Sequence, residues 1–273
     1  GMQTKDEDVV TTLFVANTHT QLLFFTTDGM AYKLKTWRLP LGGRTAKGKA
    51  VVNILPIPVG VSIAAIMPVD VDEKEWDNLQ IVFATSAGDI RRNALSDFTN
   101  VRSNGKIAMA LNEGIELVNA RIAGEEDDVM LFTDSGRAIR FSTTAVRVFK
   151  GRKSTGVRGI KLLGKDKVVS MSVIRHFIAT PDERSAYLKM RRAVSGLVDE
   201  EGISDEDDVN ENATISPERY AEMSASENLI LTITSGGAGK LSSSHDYPVR
   251  GRGGMGVAAM DKTMRGGTIV ASF

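Results

Sequence analysis

This sequence predicts an all-β, propeller-like protein of about four four-stranded blades, with a small α-helical insertion in the fourth. Two recurrences predict it. The first is an apolar run, a glycine turn and a second run: Leu23-Phe-Phe-Thr-Thr-Asp-Gly-Met-Ala-Tyr-Lys33, Val82-Phe-Ala-Thr-Ser-Ala-Gly-Asp-Ile-Arg-Arg92, Val129-Met-Leu-Phe-Thr-Asp-Ser-Gly-Arg-Ala-Ile-Arg140 and Ile230-Leu-Thr-Ile-Thr-Ser-Gly-Gly-Ala-Gly-Lys240. Each reads as a β-hairpin, about Gly29, Gly88, Gly136 and Gly236, with a cation four residues on at Lys33, Arg92, Arg140 and Lys240. The second is another glycine 17 to 20 residues later, at Gly48, Gly105, Gly156 and Gly256, beside Lys or Arg and opening an apolar run. These second glycines are 57, 51 and 100 residues apart. A period of about 50 residues with four short strands each is that of a propeller, whose units bury their faces only by stacking.

The elements follow in order. Residues 9–16 read as a strand, 21–26 and 30–35 as the first hairpin, and 50–55 as the strand beyond its loop; Pro56 and Pro58 end the unit. The blades are expected at 9–58, 59–112, 113–163 and 164–260. Residues 1–8 read as a leader with a tag scar at Gly1, and 261–273 as the start of a further blade, so the sequence looks cut at both ends. The fourth unit carries an acidic helical insertion at 181–227. Thr180-Pro-Asp-Glu183 is a helix start, with Thr as N-cap, Pro at the first position and Glu at the third. Ala186, Tyr187, Met190, Val194 and Leu197 then share one helical face. Residues 199–212 have the composition of a solvated loop, and Ser216-Pro217-Glu218 caps a second helix toward Met223.

Several function classes are excluded or weakened by composition. An apolar content of 42% and a charged content of 25% belong to a soluble globular chain, and no apolar run approaches a membrane span. Cysteine is absent, which removes disulfides and Cys-based zinc sites and suits a reducing cytosol. His19, His176 and His245 have no metal-ligand spacing. There is no phosphate loop of the G-x-x-x-x-G-K-S/T kind. Gly251-Arg-Gly-Gly-Met-Gly256 matches G-x-G-x-x-G, but no helix pattern follows it, and its place is the fourth basic loop.

What remains is cationic. The net charge of zero divides into −8 over residues 181–228 and +8 elsewhere. The loops offer Arg38, Arg44, Lys47 and Lys49 in the first unit and Arg91, Arg92, Arg102 and Lys106 in the second. The third offers Arg137, Arg140, Arg147, Lys150, Arg152, Lys153 and Arg158, and the fourth Lys240, Arg250 and Arg252. Charges at equivalent repeat positions should line one rim, a track for a phosphate backbone. Aromatic residues near these loops are few, which favours bent duplex DNA over stacked single strands.

Leu13-Phe-Val-Ala-Asn-Thr-His-Thr20, Val51-Val-Asn-Ile-Leu55, Asn104-Gly-Lys-Ile-Ala108, Asp128-Val-Met-Leu-Phe132 and Thr155-Gly-Val-Arg-Gly-Ile160 together resemble the C-terminal domains of the gyrase A proteins of DNA gyrases. The resemblance covers the chain apart from the insertion. It implies a β-pinwheel whose blades exchange strands and whose basic perimeter wraps duplex DNA for ATP-dependent negative supercoiling. It implies a non-catalytic domain with no cofactor of its own, ATP and Mg being used elsewhere in the parent type IIA topoisomerase. Its implied partners are double-stranded DNA, the N-terminal breakage-reunion part of the same polypeptide, and the ATPase component of gyrase. Its implied place is the bacterial cytoplasm, at the nucleoid. Family domains usually have six blades and a Gln-Arg-Arg-Gly-Gly-Lys-Gly box; here Arg250-Gly-Arg-Gly-Gly-Met-Gly256 comes nearest, with Met for Lys. The box is expected before Met2 in the parent. The topoisomerase IV counterpart, which lacks or degrades the box, is the alternative within the family, and a propeller-like protein-interaction module the alternative outside it.

Overall fold

The structure, a computed structural model, describes residues 12–43, 46–195, 213–260 and 266–273. Its hairpins are β1 (Gln21–Thr26) with β2 (Met30–Lys35), β4 (Gln80–Thr85) with β5 (Asp89–Ala94), β8 (Asp127–Thr133) with β9 (Arg137–Ser142), and β12 (Leu229–Thr234) with β13 (Gly239–Ser243). The other strands are β3 (Ile63–Val69), β6 (Lys106–Ile107), β7 (Leu117–Ile122), β10 (Val157–Arg158), β11 (Val168–Arg175), β14 (Val257–Ala258) and β15 (Ile269–Ser272). A threonine sets each turn: the Oγ1 of Thr26, Thr85, Thr133 and Thr234 accepts the amide of the residue four on, at 3.3, 3.2, 3.2 and 3.2 Å. The third residue after that threonine is left-handed, at Gly29, Gly88, Gly136 and Gly237. The fourth turn glycine is therefore Gly237 and not Gly236. Its register counterpart to Lys33, Arg92 and Arg140 is Leu241, and not Lys240.

Each hairpin sits inside a sheet completed from the next unit. The orders are β3-β1-β2-β6, β10-β5-β4-β7, β11-β8-β9-β14 and β13-β12-β15. The long partner comes from the start of the following repeat, so the sheets run one strand ahead of the units expected at 9–58, 59–112, 113–163 and 164–260. The end of the chain follows the same rule: β15 completes the fourth sheet rather than opening a fifth. The two-residue partners β6, β10 and β14 are donated backward by the loops, directly after Gly105, Gly156 and Gly256. Gly48 is followed by no such strand; a 3-10 turn at Val51–Asn53 stands where a strand was expected over 50–55. No strand forms over 12–16 either, and residues 9–11 lie outside the described ones. The fourth sheet has three strands among the described residues.

Stacking explains why the apolar runs are continuous rather than alternating. Successive residues of one strand serve different cores. Ile81 and Phe83 pack with Leu23 and Phe25 of the first sheet, while Val82 and Ala84 pack with Val129 and Leu131 of the third. Met130 and Phe132 in turn meet Ile230 and Tyr247 of the fourth. Edge-on rings tie the first interface, with Phe25 5.3 Å from Phe83 and 5.5 Å from Phe98. At one end Leu55 and Ile57 cover Leu22, Phe24 and Tyr32. At the other, Leu229, Leu231, Leu241 and Phe273 are exposed.

The insertion contributes α1 (Pro181–Ser195) and α2 (Pro217–Ser226). Thr180 and Glu183 form the expected reciprocal cap, at 3.2 and 2.8 Å, and Ser216 caps α2. The buried face differs from the expected one. Ala186 and Tyr187 are buried, whereas Met190 and Val194 are exposed; Leu197 lies outside the described residues. Tyr187, Met223 and Phe177 instead close around His245, in the short 3-10 turn after β13.

Candidate nucleic-acid interface

The donated strands link consecutive loops edge to edge. Arg152, four residues before Gly156, donates from Nε to the Ile107 carbonyl of β6 at 2.9 Å, and its own carbonyl accepts from Ala110 at 3.3 Å. Arg252, four residues before Gly256, repeats the move one blade on: its Nη1 reaches the Arg158 carbonyl of β10 at 3.0 Å and its Nε the Ala145 carbonyl at 2.9 Å. Gly253 N–H to the Gly159 carbonyl (2.6 Å) and Lys161 N–H to the Gly254 carbonyl (2.8 Å) close the join. The structure thus brings Arg102, Lys106, Lys150, Arg152, Lys153, Arg158, Arg250 and Arg252 onto one ribbon of interlocked loops. Of these only Arg152 and Lys106 are half-buried; the rest are exposed. Arg147 also projects there, its guanidinium 4.0 Å over the Phe149 ring. Lys47 and Lys49 are exposed in the first loop, and Arg44 lies outside the described residues.

Three expected contacts are elsewhere. Arg91, Arg92 and Arg140 are 0%, 5% and 3% exposed, so none reaches a rim-bound ligand. They lie in the middle of β5 and β9, between blades that cover both faces. Arg140 pairs with Asp128 at 2.8 Å and donates to the carbonyls of Ser244 (2.9 Å), Arg175 (3.2 Å) and Tyr247 (3.4 Å). His176 Nδ1 lies 2.7 Å from the other Asp128 oxygen. That cluster bolts the third blade to the fourth. Arg92 Nη1 donates to Gln80 at 2.8 Å. Arg91 Nε donates to Asn93 at 2.8 Å, and its Nη atoms reach main-chain carbonyls of two neighbouring loops. Asn93 and Asp128 were not legible as functional; their one signal is a polar residue inside an otherwise buried strand.

Three others hold partial positions. Arg137 is half-buried, its Nε and Nη2 on the carbonyls of Met255 and Gly256 at 2.8 and 2.9 Å, so it clamps the donated strand. Lys240 is half-buried on β13. Arg38 is exposed but sits over Trp37, 5.2 Å from its ring, in the turn beyond β2.

Cations crowd one another along the ribbon. Burial pulls the Lys106 ammonium down, and the nearby Arg152 and Lys33 charges push the same way. Arg91 is drawn down to about 10, first by burial and then by Arg152. In both, burial is the larger cause and the neighbouring cations add to it. Gly251 to Gly256 belongs to this ribbon and leads into β14, not into a helix. Among the described residues no group of His, Asp and Glu is placed to hold a metal ion, and no helix is long and apolar enough to cross a membrane.

Residues 20–70, 80–123, 127–175 and 228–272 match the family described as DNA gyrase C-terminal domain, beta-propeller. The DNA gyrase A protein of Granulibacter bethesdensis is 47% identical over 279 residues, which cover 98% of this chain and 30% of that protein. The DNA gyrase A protein of Rickettsia bellii is 42% identical over 272 residues, covering 99% of this chain and 30% of that protein. The chain thus spans about 30% of the length of these relatives. Among solved structures, the C-terminal domain of DNA topoisomerase IV superposes with a TM-score of 0.68 at 19% identity, over 100% of this chain and 68% of that one. A DNA gyrase A C-terminal domain does so at 0.61 and 18%, over 94% and 66%. At those identities the two share the fold.

Proposed function

For a chain that belongs to the DNA gyrase C-terminal domain family, we propose a non-catalytic domain that binds duplex DNA by its phosphates and bends it around the loop ribbon. The observation that carries this reading is the interlocking of three basic loops, at 102–107, 149–158 and 250–258, into one exposed edge. Cations at successive blades would meet phosphates in turn, without base readout, and curvature of the stack would be passed to the DNA. In the parent enzyme the wrap would present a DNA segment of fixed hand for strand passage, giving negative supercoils with ATP and Mg used by other parts. The breakage-reunion part of the same polypeptide and the ATPase component of gyrase would be its protein partners, in the bacterial cytoplasm. Identities of 42–47% to gyrase A proteins favour gyrase over topoisomerase IV as the parent.

The test is retardation of linear duplex DNA across a salt series, followed by ligation of nicked circles in the presence of the protein. Binding that weakens with a log–log slope of several units, about 0.9 per phosphate contact, is expected. Closed circles should carry a shifted linking number. No retardation at low salt would remove DNA as the ligand, and retardation with unshifted circles would remove the wrap.

A further inference from the structure

The third loop differs from its neighbours in how it is held. Arg91 is fully buried, 5.5 Å over the Phe83 ring, and among the described residues no carboxylate pairs with it directly; Asp97 acts on it from beyond Asn93, whose Nδ2 lies 3.1 Å from Asp97 Oδ2. A buried guanidinium with no carboxylate in direct contact is costly, and a leucine would pack there at less expense. What the side chain does instead is collect carbonyls. Its Nη1 takes those of Arg152 (2.8 Å) and Ser154 (2.5 Å), and its Nη2 that of Ala108 in the preceding loop. Beside it, Asn93 Nδ2 takes the carbonyls of Phe149 (3.0 Å) and Gly151 (3.2 Å), while Asn93 Oδ1 orients the Arg91 Nε.

Four carbonyls between Phe149 and Ser154 are thus drawn into the protein. The opposite face of the same backbone carries amides. From Lys150 to Thr155, no N–H has an acceptor among the described residues, whereas the Phe149 N–H just before them is taken by the Arg92 carbonyl at 2.7 Å. Exposed Lys150 and Lys153 stand on the same stretch. A run of free amides next to cations, with its acceptors turned away, is a surface built for an anion. The neighbouring loops lack the device. The positions matching Arg91 and Asn93 are Tyr32 and Leu34 on β2, and Ile139 and Phe141 on β9. In the fourth loop the Arg250 N–H on the Arg140 carbonyl matches the Phe149 N–H on that of Arg92, but within the loop the Gly253 amide is also taken, by the Gly159 carbonyl at 2.6 Å.

We infer that the main chain of residues 150–155 is a phosphate site, with Arg91 and Asn93 as the positioning residues that turn its amides outward. The inference rests on the duplex-DNA reading for its natural ligand, a backbone phosphodiester, but the site itself is defined by its amides. It makes the third loop the anchor of the ribbon, with the flanking loops adding charge rather than shape.

Two measurements test it. In the first, inorganic phosphate is titrated into the 15N-labelled chain. Saturable amide shifts concentrated in 150–155 are expected; shifts of equal size at 249–254, or none in 150–155, overturn the site. In the second, Arg91→Lys keeps the charge but cannot span three carbonyls. Compared below its melting temperature, it should bind duplex DNA at least tenfold more weakly, with a salt slope shallower by about two units. Retention of wild-type affinity and slope by a folded Arg91→Lys protein overturns the positioning role. A wild-type chain that shows the phosphate shifts yet fails to retard DNA would sink the DNA reading and leave the anion site standing.

Discussion

His245 shows how a single side chain joins the insertion to the blade. Its Nε2 lies 2.8 Å from the Met223 carbonyl, an acceptor only, so that nitrogen carries the proton. Tyr187 and Phe177 pack edge-on at 4.9 and 5.5 Å, and the ring is 2% exposed. Burial lowers its pKa below 6.5, and the Arg140 charge adds to the effect against the pull of the Met223 carbonyl, Glu227 and Asp246. The unfolded chain therefore binds the proton first as pH falls. Stability contributed by neutral His245 is complete above pH 6.5 and declines below it, toward the folded pKa. Thermal melts of wild type and His245→Gln from pH 8 to 5 should show this: the variant melts lower at pH 8, and the gap narrows as the pH falls through 6.5. A gap constant across the range would mean His245 is not held neutral. Asp246, its carboxyl raised by burial, is common to both proteins and drops out of the difference. At this scale the sequence was least legible. Arg91, Arg92 and Arg140 read as rim charges because basic residues usually seek water, yet mid-strand positions in a stacked blade are covered on both faces.

At the scale of elements, the first hairpin was readable to the residue, the fourth was one residue out of register, and exchanged strands were not readable. Apolar runs bounding a threonine and a glycine specify β1 with β2 outright. The tandem pair Gly236-Gly237 hid the fourth register, since only the threonine three residues earlier distinguishes them. Strands of two residues, such as β10, have no periodicity to read; their signal was the second glycine, whose purpose only the structure explains. A Cβ on Gly156 would stand 2.2 Å from the Ile90 carbonyl oxygen and 2.8 Å from the Arg91 Cβ, at φ +91. That glycine is where β10 crosses onto β5. Gly237 has φ +82 but open space, and Gly48 has open space and no positive φ. Alanine substitutions should rank accordingly. Gly156→Ala is expected to lose more than about 3 kcal/mol, as strained and overfilled sites do. Gly237→Ala should lose about 1 kcal/mol, the cost of a left-handed residue, and Gly48→Ala close to nothing. Urea unfolding gives the order, and a Gly156→Ala protein as stable as Gly237→Ala would show that β10 is not fixed by that crossing.

For the whole molecule, net neutrality conceals a basic ribbon and an acidic segment in one chain. Repeat spacing made the stack legible from sequence, but not the ribbon, whose loops are joined by two-residue exchanged strands. At the end of the fourth blade apolar Leu229, Leu231 and Leu241 are exposed. Residues 199–211 hold eight carboxylates and no cation. Their effect on DNA binding depends on distance, because a repulsion fades beyond a Debye length of roughly 8 Å at physiological salt. The helices pack against the turn at Ser244–Asp246, at the end of the fourth hairpin opposite Gly237, whereas the ribbon passes the Gly136 end of the third, where β14 docks on β9. Replacing the eight carboxylates by their amides leaves α1, α2 and His245 in place and changes only charge. Affinity for linear duplex should then rise several-fold at low salt and by less than tenfold, about 1.4 kcal/mol, at physiological salt. A larger gain at physiological salt would bring the acidic segment to the ribbon itself, as a competitor of DNA for the same cations.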